Sequence, residues 1–360
     1  MMLEQMQEMT QQDVLFSISH KIGFIELNRQ RALNALNQPM MTAIAQQLLA
    51  WKSDGAVQAV VVHSNSPRAF CAGGDLRAVY EAGTQGHLEH LDHLFREEYI
   101  LNHIIKTYPK PYISFMDGIA MGGGIGLSVH GSHRLMSENV LVAMPETNIG
   151  YFPDVGATHF LNQAPGKVGL YLALTGNHIK VADALYARIG THYIPHEKQA
   201  QVFDELKKLP CKDHSAIDTF LKLYDEPRPE SPLARQKEEI DQLFTATTIG
   251  GIFSQLKASS SEFSQGVFEI LKKRSPTSLA VAFEQMNRWK TLNDFSEVMS
   301  MEFDMSQRFI KAPDFFEGIR AVIIDKDHAP KWSPADLKEV TKEQVAMYFI
   351  KQDVPLDVES

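Results

Sequence analysis

The chain has 360 residues, and 35 lysines and arginines against 44 aspartates and glutamates give a formal net charge of −9. With 44% apolar and 22% charged residues it reads as an ordinary globular protein, which excludes low-complexity disorder and makes nucleic acid a poor main partner. Two cysteines, Cys71 and Cys211, cannot build a disulfide scaffold, no apolar run approaches the roughly 20 residues that span a bilayer, and residues 1–13 lack the basic start and apolar core of a secretory signal, so the expectation is a cytoplasmic protein without a membrane partner. Along the chain, residues 16–18 and 22–27 predict two short strands with a turn at His20 and Lys21. Asn37-Gln38-Pro39 is a helix start, and Met41, Ile44, Leu48 and Trp51 then share one helical face. Residues 57–62, apolar apart from Gln58, predict a buried strand, and residues 112–116 and 140–144 predict two more. Strands alternating with helices point to an α/β architecture.

Beyond about residue 165 the pattern turns helical, with helices expected over residues 180–189, 200–206, 238–256, 277–292 and 297–310, and loops over 225–232 and 259–264. There is no internal repeat and no linker of disordered composition. The division expected is a catalytic core over residues 14–210 and a mainly helical region over residues 211–360 packed on it.

Several chemical motifs fail on spacing. Gly122-Gly123-Gly124-Ile125-Gly126 does not continue to the third glycine of a dinucleotide fingerprint, and no phosphate-binding G-x-x-x-x-G-K-[ST] loop exists. Gly126-Leu127-Ser128-Val129 is followed by His130 where a nucleophile elbow needs glycine. His196-Glu197 meets Ala200 where a zinc motif needs its second histidine, and His87, His90 and His93 fit a solvated polar helix face better than a metal site. Cys71 has no evident partner base and reads as packing.

Three segments remain. Residues 69–77 and residues 121–127 each carry a glycine-rich turn from a strand into a helix, where exposed N–H groups and a helix N-terminus favour an anion. Converging on one carbonyl oxygen, two such turns would form an oxyanion hole; taken singly, each also fits a tight connection with no chemistry. Residues 144–156 carry Glu146 and Asp154, eight residues apart in a loop stiffened by Pro145 and Pro153 and broken by Gly150 and Gly156. Apolar neighbours would desolvate the two carboxyls, and such a pair suits acid–base work, while a helix cap and a surface glutamate are the plain alternatives.

Together these segments resemble the crotonase (enoyl-CoA hydratase/isomerase) superfamily, as do Leu174-Thr175-Gly176 with Ala182, Ala184 and Gly190. The resemblance is closest to a hydrolase branch, carried by residues 95–99, 126–131, 145–147, 152–156, 274–279 and 317–327, and by Pro330-Lys331-Trp332. It spans about residues 14 to 350 and implies a core of repeated ββα units in superhelical arrangement with an extended C-terminal helical region. It further implies hydrolysis of a short branched β-hydroxyacyl-CoA thioester, 3-hydroxyisobutyryl-CoA to 3-hydroxyisobutyrate and CoA in valine degradation. By position, Gly74 and Gly123 would donate the two oxyanion N–H groups, Glu146 and Asp154 would be the catalytic carboxylates, and Glu98 would line the acyl pocket. CoA enters as part of the acyl-CoA substrate; neither cofactor nor metal is implied, and a homo-oligomer stays open. Hydratases of the superfamily carry a glutamate where this chain has Gly126, and commonly a glycine where it has Asp154, which favours attack at the carbonyl over addition to a double bond. Enoyl-CoA hydration or isomerisation, and acyl-CoA binding without chemistry, are the alternatives. Arg29, Arg31 and Arg68 are candidates for a basic rim facing the CoA phosphates.

Overall fold

A computed structural model of the chain describes residues 13–358. Val14–Ser19 (β1) and Ile22–Leu27 (β2) pair antiparallel, with Val14 opposite Leu27 and Ser19 opposite Ile22. His20 and Lys21 both take positive φ, 52° and 64°, the two-residue turn whose twist matches its strands. Eight strands follow: β3 (Ala59–Ser64), β4 (Ala69–Cys71), β5 (Tyr112–Met116), β6 (Ile119–Met121), β7 (His133–Met136), β8 (Leu141–Ala143), β9 (Ile179–Lys180) and β10 (His192–Tyr193). They form a six-stranded sheet ordered β1-β2-β3-β5-β7-β10 and a four-stranded sheet ordered β4-β6-β8-β9. From β2 to β10 the larger sheet is parallel.

The sheet order exposes the repeat. β3 and β4 are followed by the helix Leu76–Thr84, and β5 and β6 by the helix Gly123–Val129. In each ββα unit the first strand joins the large sheet and the second joins the small one. This matches the architecture implied by the resemblance. The strands with near-continuous apolar sequence, β3 and β5, are buried, as parallel strands covered on both faces must be. Ile22, Phe24, Val61, Ile113, Phe115 and Leu135 pack on Val202 and Leu206 of the helix His196–Lys208 and on Ile217 and Phe220 of the helix His214–Leu221. The helix Gln38–Ser53 is capped by Asn37, which accepts the Met40 N–H at 2.9 Å, and buries Met41, Ile44, Leu48 and Trp51 as its periodicity predicts.

By compactness the chain divides into two units. One gathers the described residues up to Gly74 with Glu97–Val142 and Ile179–Ser231, and holds all six strands of the large sheet. The other gathers Asp75–Arg96, Ala143–His178 and the residues from Pro232 on, and is mainly helical. Here one expected helix, residues 238–256, is instead two, Pro232–Leu243 and Ile249–Ala258. The threonine-rich stretch 245–248 separates them, and the Thr248 hydroxyl caps the second by accepting the Gly251 N–H at 3.1 Å. The expected loop at 259–264 is shorter than predicted, because Ser261 caps the helix Glu262–Leu271.

Candidate active site

The placement of the two glycine turns follows from strand pairing. β4 and β6 are parallel neighbours, so the glycine turns that leave their carboxyl ends emerge on one edge of the small sheet. Gly73, at φ 105°, bends the first turn, and its carbonyl accepts the Leu36 N–H at 2.7 Å. Gly123 opens the helix after the second turn. A Cβ on Gly123 would stand 2.4 Å from Glu98 Oε1 and 3.5 Å from the Gly74 nitrogen. The structure thus brings Gly74, Gly123 and Glu98 around one point, and the missing side chain at 123 keeps that point open. At Gly74 an added Cβ would meet nothing within 4 Å, so its N–H, not its lack of side chain, is the feature that matters there. Glu98 is 5% exposed on the helix Leu88–Lys106, whose register is fixed by Glu97 accepting from Gln38 at 3.0 Å and from the Thr42 hydroxyl.

Cys71 lies beneath this turn. Its thiol donates to the Asn34 carbonyl at 3.0 Å, and burial pushes it up to about 12, so it packs and does not attack. Asp75 caps the helix Leu76–Thr84 through the Ala78 N–H at 3.2 Å. His87, His90 and His93 are exposed, and the described residues contain no cluster of three metal-ligating side chains. Of the expected basic rim, Arg29 donates to the Ala35 carbonyl at 2.9 Å and shares Asp13 with Arg31 at 3.4 Å each, so both have protein partners already.

A separate set of candidate residues lies in the helical unit. Glu146 opens a short 3-10 turn, Glu146–Ile149, closed by Gly150 at φ 70°. Two elements fasten that turn. The Arg274 guanidinium donates Nε and Nη2 to the Thr175 carbonyl at 3.0 and 2.6 Å and Nη1 to Asn148 Oδ1 at 2.5 Å, while the Thr147 hydroxyl donates to the Leu174 carbonyl at 3.1 Å. A Cβ on Gly150 would lie 2.1 Å from the Asp314 carbonyl oxygen, so only glycine allows this approach. Glu146 and Asp154 are 6% and 5% exposed. Between them Tyr151 stacks on Phe95 and Phe315 at 5.6 and 4.5 Å, and Phe152 stacks on Phe309 at 5.2 Å, giving the carboxylate loop an aromatic, poorly hydrated lining.

A further buried carboxyl, Glu302 in the helix Phe295–Phe309, was not among the expected site residues. It is fully buried and accepts the Gly156 N–H at 2.7 Å, the Thr158 N–H at 3.0 Å and the Thr158 hydroxyl at 2.7 Å. Burial raises it to about 8 against the pull of these donors, and the nearby charge of Asp154 adds to the rise. Gln285, also buried, donates to the Pro153 carbonyl at 2.7 Å and to Thr158 Oγ1 at 2.8 Å. The sequence holds one signal for Glu302: it falls among Val298, Met299, Phe303 and Met305, where the helical period demands an apolar residue.

N–H groups beside an open space are the kind of arrangement that can polarise a carbonyl, and, separately, a buried carboxyl on a braced loop is the kind that can act as nucleophile or base. An enoyl-CoA hydratase/isomerase family model matches residues 22–349. The chain belongs to that family. Among the relatives of this family member, the 3-hydroxyisobutyryl-CoA hydrolase, mitochondrial, of Xenopus tropicalis is 44% identical over 91% of this chain and 86% of its own length. The protein of that name from Homo sapiens is 40% identical over 94% of this chain and 88% of its own. Two solved structures share the fold: a carnitinyl-CoA dehydratase from Mycobacterium thermoresistibile (TM-score 0.91, 37% identity, 96% of this chain and 99% of that one) and an enoyl-CoA hydratase from Rhodobacter sphaeroides 2.4.1 (TM-score 0.87, 36% identity, 94% and 97%). These likenesses establish the crotonase-type α/β fold. They also correct the cytoplasmic expectation, since the curated relatives are named as mitochondrial; scarce cysteines report redox conditions and do not name a compartment. No described helix is long and apolar enough to cross a membrane.

Proposed function

We propose that this chain hydrolyses the thioester of a short branched β-hydroxyacyl-CoA, 3-hydroxyisobutyryl-CoA, to 3-hydroxyisobutyrate and CoA. The observation that carries the reading is 40–44% identity, over nine-tenths of the chain, to curated proteins bearing that activity in their names. CoA enters as part of the substrate, and the reaction belongs to valine degradation. The Gly74 and Gly123 N–H groups hold the thioester oxygen as negative charge builds on it, and Glu98 lines the acyl side of Gly123. Glu146 supplies the carboxylate chemistry by one of two routes. In the first, its oxygen attacks the carbonyl carbon and the C–S bond breaks; the thiolate takes a proton, and water hydrolyses the mixed anhydride to restore the glutamate. In the second, Glu146 removes a proton from the water that attacks directly. Asp154 accepts a hydrogen bond from the substrate hydroxyl or relays the proton to the leaving sulfur. Both routes consume one water and release one hydroxy acid and one thiol.

A thiol-release assay over branched, β-hydroxy and enoyl CoA esters tests the reading. The branched β-hydroxyacyl ester is expected to give the highest kcat/KM. Loss of conjugated enoyl absorbance without thiol would transfer the assignment to hydration, the activity named for the two fold neighbours or its reverse. Glu146→Gln is expected to lose at least about a thousandfold in kcat, the scale seen when a catalytic nucleophile or base is removed, while still binding CoA esters. Solvent ¹⁸O found in Glu146 after turnover selects the anhydride route.

A further inference from the structure

Resting on the hydrolase reading above, we infer that Glu302 is a positioning residue for Asp154, a clamp that holds the Asp154 loop in a backbone conformation it would not otherwise keep. Immediately after Asp154 the chain places Val155 at φ 51° and Gly156 at φ 84°. Glycine takes the left-handed region at no cost, but a β-branched residue there is a genuine outlier. Something must hold it. Anchors from two other residues grip the loop on both sides of Asp154. Gln285 binds the Pro153 carbonyl on one side of Asp154. On the other side, Glu302 Oε2 takes the Gly156 N–H, while Oε1 takes both the Thr158 N–H and hydroxyl. Gln285 also donates to Thr158 Oγ1, tying both anchors into one network within the helical unit.

The residue type at 302 is informative. A helix facing an apolar core has no packing reason to bury a carboxyl, and desolvating one is costly unless it is well paired. A carboxyl satisfies these three donors even while it keeps its proton, since Oε1 has two lone pairs for the Thr158 N–H and hydroxyl and the oxygen Oε2 still accepts the Gly156 N–H. The network therefore converts burial of an acid into a fixed direction for the neighbouring Asp154 side chain. Glu302 touches no reacting atom in this scheme. It acts through the Val155–Gly156 peptide, and its loss lets that peptide rotate out of the left-handed region and carries Asp154 away from the substrate hydroxyl.

The test compares wild type, Glu302→Gln and Glu302→Gln/Val155→Gly by thiol release from 3-hydroxyisobutyryl-CoA, with melting curves for each. Glutamine keeps the shape and the oxygen toward Thr158 but sets an NH₂ against the Gly156 N–H. The expected result is a fall in kcat of about ten- to a hundredfold, the scale of roughly 1 Å of misplacement, with KM moved less than about threefold. Glycine at 155 removes the cost of the left-handed conformation, so the double variant regains at least about fivefold of the lost kcat, even though it melts no higher. A merely structural glutamate would give no such rescue, because deleting the buried Val155 side chain can only weaken packing. Should Glu302→Gln fail to fold, Gln285→Met removes the Pro153 anchor and the Gln285 bonds to Thr158 and Glu302 while leaving the three bonds that Glu302 accepts from the loop, and is expected to show the same kcat-against-KM split. A kcat within threefold of wild type, or a double variant no faster than the single, overturns the clamp. Wild-type protein that releases no thiol overturns the hydrolase reading itself, a separate outcome read from a separate arm.

Discussion

At Gly123 a single absent methyl group leaves open a point that a side chain would block. The position an alanine Cβ would occupy is 2.4 Å from Glu98 Oε1, inside any real contact distance, so Gly123→Ala must push either the helix or Glu98 aside. If the Gly123 N–H binds the thioester oxygen, the expected loss is about 10²–10³ in kcat, or roughly 2.7–4 kcal/mol, the worth of one oxyanion donor. Gly74→Ala meets no neighbour within 4 Å and is expected to cost far less, so the ratio of the two kcat values checks the assignment. Glu146 and Asp154 were legible in the sequence because two carboxyls in a proline-stiffened, glycine-broken loop are unusual and because their spacing resembles a family pattern. Glu302 was not. Its partners Gly156 and Thr158 lie some 145 residues earlier in the chain, and a glutamate in a helix reads as solvated unless its apolar neighbours are weighed.

Elements were legible where local periodicity and capping agreed. Asn37 with Pro39 marked the first long helix, and the two short apolar stretches on either side of His20-Lys21 marked the hairpin, although those two residues give no glycine signal for a turn with two positive φ values. The helix expected over residues 238–256 was misread because apolar spacing continues through Phe244, while the four residues after it, with three threonines, break the backbone pattern. Arg274 shows what an element junction contributes to the candidate site. It stands just ahead of the helix Pro276–Arg288 and grips the Glu146 turn through Asn148 and the last turn of the helix Val168–Thr175 through the Thr175 carbonyl. A lysine cannot reproduce that fork. Arg274→Lys is expected to lower stability by about 1–3 kcal/mol, read as a lower urea midpoint at unchanged m-value, from a carbonyl and an amide left poorly paired, and to lower kcat through the loosened Glu146 turn.

For the whole molecule, buried titratable groups set a pH window. Burial drives His133 down to about 4 despite its 3.0 Å contact with Asp218, and it sits between the rings of His192 and His214. Burial lowers His63 and His192 as well. Below the ordinary histidine value of 6.5 the unfolded chain binds protons that these sites refuse, so stability falls as pH drops from about 6.5 toward 4, by up to about 3 kcal/mol for His133 alone. Glu302 acts the opposite way: folded protein keeps its proton to about 8 and the unfolded chain loses it near 4.5, so stability declines as pH rises through that range. Urea midpoints measured from pH 4 to 9 are expected to peak near pH 6.5, with His133→Asn flattening the acid limb and Glu302→Gln the basic one. The five crossings of the chain between its two compact units have a further consequence for how such a protein can be inherited or cut. No contiguous stretch of gene encodes either unit, so neither can be lent to another protein by fusing one segment. A truncation after Ser231 would strip the helical unit of its longest stretch while leaving residues 75–96 and 143–178 of that unit stranded on the remaining fragment.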